Sequence, residues 1–190
     1  MLVLKNIKTE KYAGGAIAIA NHLSDFCKKI YFVSMIGQDS KYREFIKDSL
    51  PSNVKSYFIK KNKSPTIIKQ RFLETHNNKK MLGIYDLNDK PLDSSNENQF
   101  HKYLNMNFKK SDIIITSDYG HGLISKQSAK LITKNKKFKS VNAQLNSSNL
   151  GHHTVSKYSN IDALIINEAE LRFELRDKNT KLETLILDLV

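Results

Sequence analysis

Tyr12–Lys28, YAGGAIAIANHLSDFCK, is the stretch on which the reading of this chain turns. Gly14 and Gly15 have no Cβ, so the backbone turns tightly there and leaves room for a close approach. Ala16, Ile17, Ala18, Ile19 and Ala20 then suit the buried face of a helix starting on that turn, over about Gly15–Phe26. A helix N-terminus exposes unpaired N–H groups and partial positive charge, which suit an oxyanion or a sugar hydroxyl. The same residues also describe an ordinary glycine loop before a buried helix. A glycine pair does not choose between the two.

Outward from that helix the chain alternates. Leu2–Ile7 precedes it as a short strand. Lys29–Ile36 follows as an aromatic and β-branched strand, closed by Gly37-Gln38-Asp39. Ser40–Leu50 has helical spacing through Tyr42, Phe45, Ile46 and Leu50, with Pro51 ending it, and Val54–Ile59 is again a strand. Strand, helix, strand, helix, strand predicts an α/β fold with a mostly parallel sheet flanked by helices. Thr66–Glu74 and Lys80–Leu87 predict a β-hairpin around the turn residues Asn77-Asn78. Ser94–Asn107 reads as a helix capped by Ser94 or Ser95, with Phe100, Tyr103 and Leu104 inward. Asp112–Thr116, DIIIT, is the continuous apolar run of a central parallel strand. Ser125–Lys134 is a helix, Phe138–Ala143 and Ala163–Ile166 are strands, and Thr180–Val190 is either helix or strand.

Composition narrows the class. The 190 residues suffice for one domain with a core, and 39% hydrophobic with 26% charged residues is globular. Cys27 is the single cysteine, which excludes an intrachain disulfide and fits a reducing compartment. No apolar run reaches the roughly 18 residues of a membrane span, and the N-terminus is too short an apolar run for a signal peptide. The expectation is a soluble cytoplasmic protein. A net charge of +12 favours anionic partners. The basic residues are scattered lysines, however. Their clusters, Lys60-Lys61-Asn62-Lys63 and Lys134-Asn135-Lys136-Lys137, lack arginine and interleaved aromatics, so they read as solvated surface rather than a nucleic-acid footprint.

Polar residues gather at two strand ends. Asp118 and His121 follow one strand; Asn167, Glu168 and Glu170 follow another. Ligands of open α/β sheets bind outside the carboxyl ends of the strands. A carboxylate and an amide there suit a hydrated Mg²⁺. Glu168 and Glu170 equally suit the first turn of a helix, where acids complement the dipole. His152-His153 has no metal-ligand spacing to a cysteine or a carboxylate pair.

Taken in order, these motifs resemble the ribokinase-like, or PfkB, carbohydrate kinases, nearest the branch that phosphorylates heptose phosphates. The resemblance rests on Gly14-Gly15-Ala16, on Gly37 with Asp39, and on Pro65, Thr66, Lys69 and Arg71 before a hairpin. It rests also on Ser117-Asp118-Tyr119 with Gly122, and on Asn167 with Glu170. Ala18 stands where that family has a sugar-contacting Asn, His121 where it has Lys, and Asn142-Ala143-Gln144 where it has Asp-Pro-Lys. The resemblance implies a ribokinase-like sheet with a small β lid, to which a hairpin at about 64–88 belongs. It implies ATP and Mg²⁺ as cofactors and a sugar or sugar phosphate as substrate. Substrate would meet Gly14, Gly15, Asp39, Lys69, Arg71 and Asp118; nucleotide would meet Asn167 and Glu170, and the metal Glu170. The family's first strand and its Gly-Ala-Gly-Asp motif would fall outside residues 1–190. The expectation is therefore a single partial domain, inactive alone, completed by a complementary chain or paired with a second copy through the lid. The alternative is a non-catalytic sugar-phosphate-binding or regulatory protein on the same fold.

Overall fold

The computed structural model describes residues 5–39, 41–145 and 155–189. Helix α1 (Ala16–Ser24) starts on Gly15, whose φ of 58° is one a Cβ would strain. Strand β1 (Ile30–Gly37) follows, then a short α2 (Arg43–Asp48) and β2 (Val54–Lys61). β1 and β2 pair in parallel from Ile30↔Val54 to Gly37↔Lys61. Strands β3 (Ile68–Leu73) and β4 (Lys80–Asp86) form an antiparallel hairpin, with a register shift between Phe72 and Leu73. Helix α3 (Ser94–Phe108) leads into β5 (Ile113–Asp118); α4 (Lys126–Thr133), β6 (Phe138–Ala143) and β7 (Ala163–Ile165) complete a three-stranded parallel sheet in the order β5-β6-β7. Helices α5 (Glu168–Leu175) and α6 (Leu182–Leu189) close the described chain.

This is the expected α/β architecture of parallel strands flanked by helices. Several details differ from expectation. Residues 5–7 are irregular and Ile7 is exposed, so no strand precedes α1 among the described residues; residues 1–4 lie outside them. Parallel pairing there would require a neighbour, and both described parallel sheets already run without it. Only Ala20 of α1 is buried, so the small-residue run is not the core element it resembles. The second helix begins at Arg43; Ser40 lies outside the described residues, and Phe45 points to solvent. The cap of α3 is Asp93, which accepts from Asn96 N at 2.8 Å, rather than Ser94 or Ser95. The final segment is helical, with Leu185 buried.

Packing ties the two parallel sheets to one helical layer. Ile59 of β2, Phe100 and Leu104 of α3, Ile114 of β5 and Ile132 of α4 form one buried cluster. The spacing of Phe100, Leu104 and Asn107 puts all three on one face of α3. A second cluster joins Ala129 of α4 to Val141 and Ala143 of β6, Val155 and Tyr158. Among the described residues, no helix is long and apolar enough to cross a membrane.

Candidate functional site

Strand β1 over Ile30–Met35 and the whole of β5 meet the start of α1 and the hairpin around one cavity of about 2430 Å³. Gly14, Gly15, Lys69, Arg71 and Asp118 border it, together with Tyr119, His121 and Gln144. Gly15 lies against Tyr119: a Cβ built on it would sit 3.7 Å from the ring. Residues a hundred positions apart in sequence are thereby brought side by side. No side chain caps α1, and of its first N–H groups Ile17 N donates to Gly14 O at 3.3 Å.

Asp39 does not border the cavity. It stands just beyond, linked through Thr66, whose hydroxyl donates to Asp39 Oδ1 at 3.4 Å and accepts from Gly37 N at 3.0 Å. A Cβ on Gly37 would fall 2.1 Å from Thr66 N, so only glycine lets the run into the hairpin pass so close to β1. On the hairpin, Lys69 pairs with Tyr85 and Arg71 with Gly83, which places both cations on one face. The Lys69 ammonium lies 5.4 Å from the centre of the Tyr85 ring. Burial lowers its pKa from the ordinary lysine value, against a smaller opposing effect of Tyr85.

Asp118 ends β5 buried, and its carboxylate is engaged. Lys157 forms an ion pair with it, Tyr158 Oη donates to it at 2.6 Å, and Gly120 N donates at 3.0 Å. Burial, then the Asp118 charge, pushes the Tyr158 phenol far above its usual range, so it remains a donor. Asp118 borders the cavity and, through these bonds, holds the loop that carries Tyr119 and His121. His121 is 7% exposed, and its Nδ1 donates to Asp89 Oδ1 at 2.8 Å. Burial lowers its pKa despite Asp89, and Lys69 lowers it further.

Lys61 corrects a reading of the sequence. Composition places it in a solvated connection, yet it ends β2 only 5% exposed. Its ammonium donates to the carbonyls of Asn88 and Lys90, and to that of His121 at 3.4 Å. Burial lowers its pKa, partly opposed by Asp89. One signal is present in the sequence: Lys61 stands two residues after Ile59, on the inward side of β2. Asp89, Lys157 and Tyr158 have no such signal, because a loop and the short 3-10 turn Val155–Lys157 bring them to the site.

Asn167 and Glu170 lie off the cavity and build a capping box at α5. Asn167 Oδ1 accepts from Glu170 N at 2.9 Å, and Glu170 Oε2 accepts from Asn167 N at 3.0 Å. Glu170 Oε1 accepts from Leu145 N at 3.0 Å, clamping the residues after β6, where Gln144 N donates to Asp118 O at 2.8 Å. No group of three His, Cys, Asp or Glu side chains among the described residues is arranged to hold a metal. Both Glu170 oxygens already accept backbone N–H groups and the residue is 6% exposed, so a hydrated Mg²⁺ beside it would be met through water and not held in a protein cage. His152-His153 lies outside the described residues.

Comparison with known proteins gives the family and the fold. The sequence profile described as "pfkB family carbohydrate kinase" matches residues 2–187. A bifunctional protein HldE from a Nitratiruptor species is 24% identical over 120 residues, covering 63% of this chain and 25% of that protein. The structure of ribokinase from Giardia lamblia superposes with a TM-score of 0.55 at 15% identity, over 91% of this chain and 52% of that one. The chain thus spans about a quarter of the one relative and about half of the other.

Proposed function

This chain belongs to the pfkB family of carbohydrate kinases, and we propose that its cavity binds a sugar phosphate as the acceptor in phosphate transfer from ATP. The observation that carries the reading is the convergence, at the carboxyl end of β5, of the start of α1 with two cations on one hairpin face. The start of α1 beyond Gly14 and Gly15, with Asp39 just outside the cavity, receives the hydroxyls. Lys69 and Arg71 receive the acceptor's own phosphate, as paired cations favour a dianion. Tyr119, packed on Gly15, sets the floor against which the sugar lies.

Asn167 and Glu170 stand toward the nucleotide side in this reading. Mg²⁺, when bound, supplies charge to the phosphate oxygens. Glu170 orients its water shell while holding Leu145 and Asn167. Asp118, Asp89 and Glu170 are each committed to internal partners. They position loops and do not take the acceptor's proton. That commitment also favours a second reading, in which the isolated chain binds sugar phosphate without turnover.

The test is thermal unfolding with ribose 5-phosphate, fructose 6-phosphate and sedoheptulose 7-phosphate, each against its unphosphorylated sugar. Ligand at about 100 times its dissociation constant adds roughly 2.7 kcal/mol. Only the phosphates are expected to stabilise, and Lys69→Met is expected to weaken binding at least about tenfold, as loss of a charged hydrogen bond is worth roughly 1.5–3 kcal/mol. Equal stabilisation by the unphosphorylated sugars would reject the role of Lys69. Release of ADP in the presence of MgATP separates transfer from binding alone.

A further inference from the structure

Among the described residues, His121 is the only histidine on the cavity, and one side of its ring is unused. Its Nδ1 carries the hydrogen, because the atom 2.8 Å away is an Asp89 carboxylate oxygen, an acceptor. Burial keeps the ring neutral, so Nε2 holds a lone pair and no hydrogen. That atom is buried and has no hydrogen-bond partner. Buried polar atoms are normally paired, and one left open in a native fold points to a partner the chain itself does not supply. Asp89 does not border the cavity and His121 does, so the Nδ1 edge of the ring faces away from the cavity and the Nε2 edge lies nearer to it. Ser117 Oγ in β5, also on the cavity, is likewise buried without a partner.

The charges around the ring are those of Asp89, Lys69 and Asp118, with the Lys61 ammonium on the carbonyl of His121 itself. Lys69 is close enough to lower the pKa of His121, and Asp89 acts on Lys61, Lys69 and His121 alike. The open lone pair therefore stands near the cations of the hairpin. A bare imidazole nitrogen takes a hydrogen from a donor; a phosphate dianion has none to give. A hydroxyl has one, and it needs only a water-sized opening to reach a buried atom.

We propose that His121 Nε2 reads a free hydroxyl close to the phosphate of the acceptor, accepting its hydrogen while Lys69 and Arg71 hold the phosphate. For the phosphate this rests on the sugar-phosphate reading above; the hydroxyl contact does not. The ligand class narrows to sugar or polyol phosphates that carry a free hydroxyl near the phosphate-bearing carbon. Phosphates whose neighbouring oxygens are closed into a ring, or absent, leave Nε2 unpaired and bind less well. Asp89 is the positioning residue: by accepting from Nδ1 it fixes the ring and keeps the hydrogen off Nε2.

The experiment is imidazole ¹H–¹⁵N NMR of the full chain with labelled histidine, above the ordinary histidine pKa. The probes are glycerol 3-phosphate, propyl phosphate, which lacks the hydroxyls, and glycerol. In the chain alone the His121 Nε2 signal is expected at the position of a bare nitrogen. Glycerol 3-phosphate is expected to move it toward the hydrogen-bonded range. Propyl phosphate is expected to shift amides of the hairpin and leave Nε2 where it was. His121→Phe keeps a ring and removes the acceptor; it is expected to weaken glycerol 3-phosphate binding about fivefold, the worth of one neutral hydrogen bond, and to leave propyl phosphate unchanged. The Nε2 signal is read in the unaltered chain, so the inference stands or falls even where the variant does not fold. An Nε2 that carries hydrogen in the free chain, or that stays in place while glycerol 3-phosphate binds, overturns the inference and leaves the phosphate site standing. Movement by glycerol as large as by glycerol 3-phosphate keeps the hydroxyl contact and overturns instead the phosphate site at Lys69 and Arg71. Silence toward all three probes overturns both.

Discussion

His121 is held neutral by burial more than it is charged by Asp89. Its folded pKa lies below the ordinary 6.5, so the unfolded chain binds the proton more readily. The stabilisation from keeping it neutral is present above about pH 6.5 and is lost as pH falls below that value toward the folded pKa. His121→Gln is therefore expected to reduce the fall in stability between about pH 7.5 and 5.5, measured by urea unfolding; an identical fall in both proteins would show that His121 does not titrate as described. Asp118 carries the opposite risk. Its removal leaves Lys157 as a poorly solvated cation without its carboxylate. Asp118→Ala is expected to cost about 3 kcal/mol, in the range for breaking a buried pair, and a loss under about 1 kcal/mol would place the pair effectively in water.

At the scale of elements, the start of α5 does two jobs. The Asn167–Glu170 box closes two N–H groups of its own helix, and Glu170 also closes Leu145 N across the gap to β6. Asn167→Ala is expected to cost about 1 kcal/mol, the usual value of a cap. Glu170→Ala should cost about 2 kcal/mol, because two backbone donors lose their acceptor in a buried place. The double variant should cost less than the sum, since both changes break the same box; strict additivity in urea unfolding would contradict the geometry. The β3–β4 hairpin behaves differently. Every residue of β4 is exposed, so little packing holds its hydrogen bonds closed. Its amides are expected to exchange well before those of β2 or β6.

For the whole molecule, Phe100 is the shared support. It packs with Ile59 of one sheet and Ile114 of the other. Phe100→Ala is expected to cost about 4 kcal/mol and to lower exchange protection in β1–β2 and β5–β6 together. Loosening of one sheet alone would mean that the two are separate cooperative units despite their common core. The same arrangement leaves β1 and β5 bordering one cavity.

Order along the chain was enough for the sequence to determine the elements. DIIIT reads as a strand, Asn77-Asn78 as a hairpin turn, and Asn167 with Glu170 as a helix start, because each depends on neighbours within a few residues; the central place expected for DIIIT is not found, since β5 lies at the edge of its described sheet with Ile113 and Ile115 exposed. The ordered glycine, lysine and acid motifs likewise carried the family, which the match over residues 2–187 shows. Tertiary structure alone decided which polar groups remain open to a ligand. Asp118 and Lys61 are spoken for by Lys157, Tyr158 and three loop carbonyls, while Lys69 stays beside Tyr85 at the cavity wall. It alone separated β1 from β5, since strand pairing is a contact between distant segments that no local pattern records. The physical reason is the same in both cases: propensity acts over a turn or a strand, whereas burial and hydrogen-bond satisfaction are settled by whichever distant residues the fold brings near.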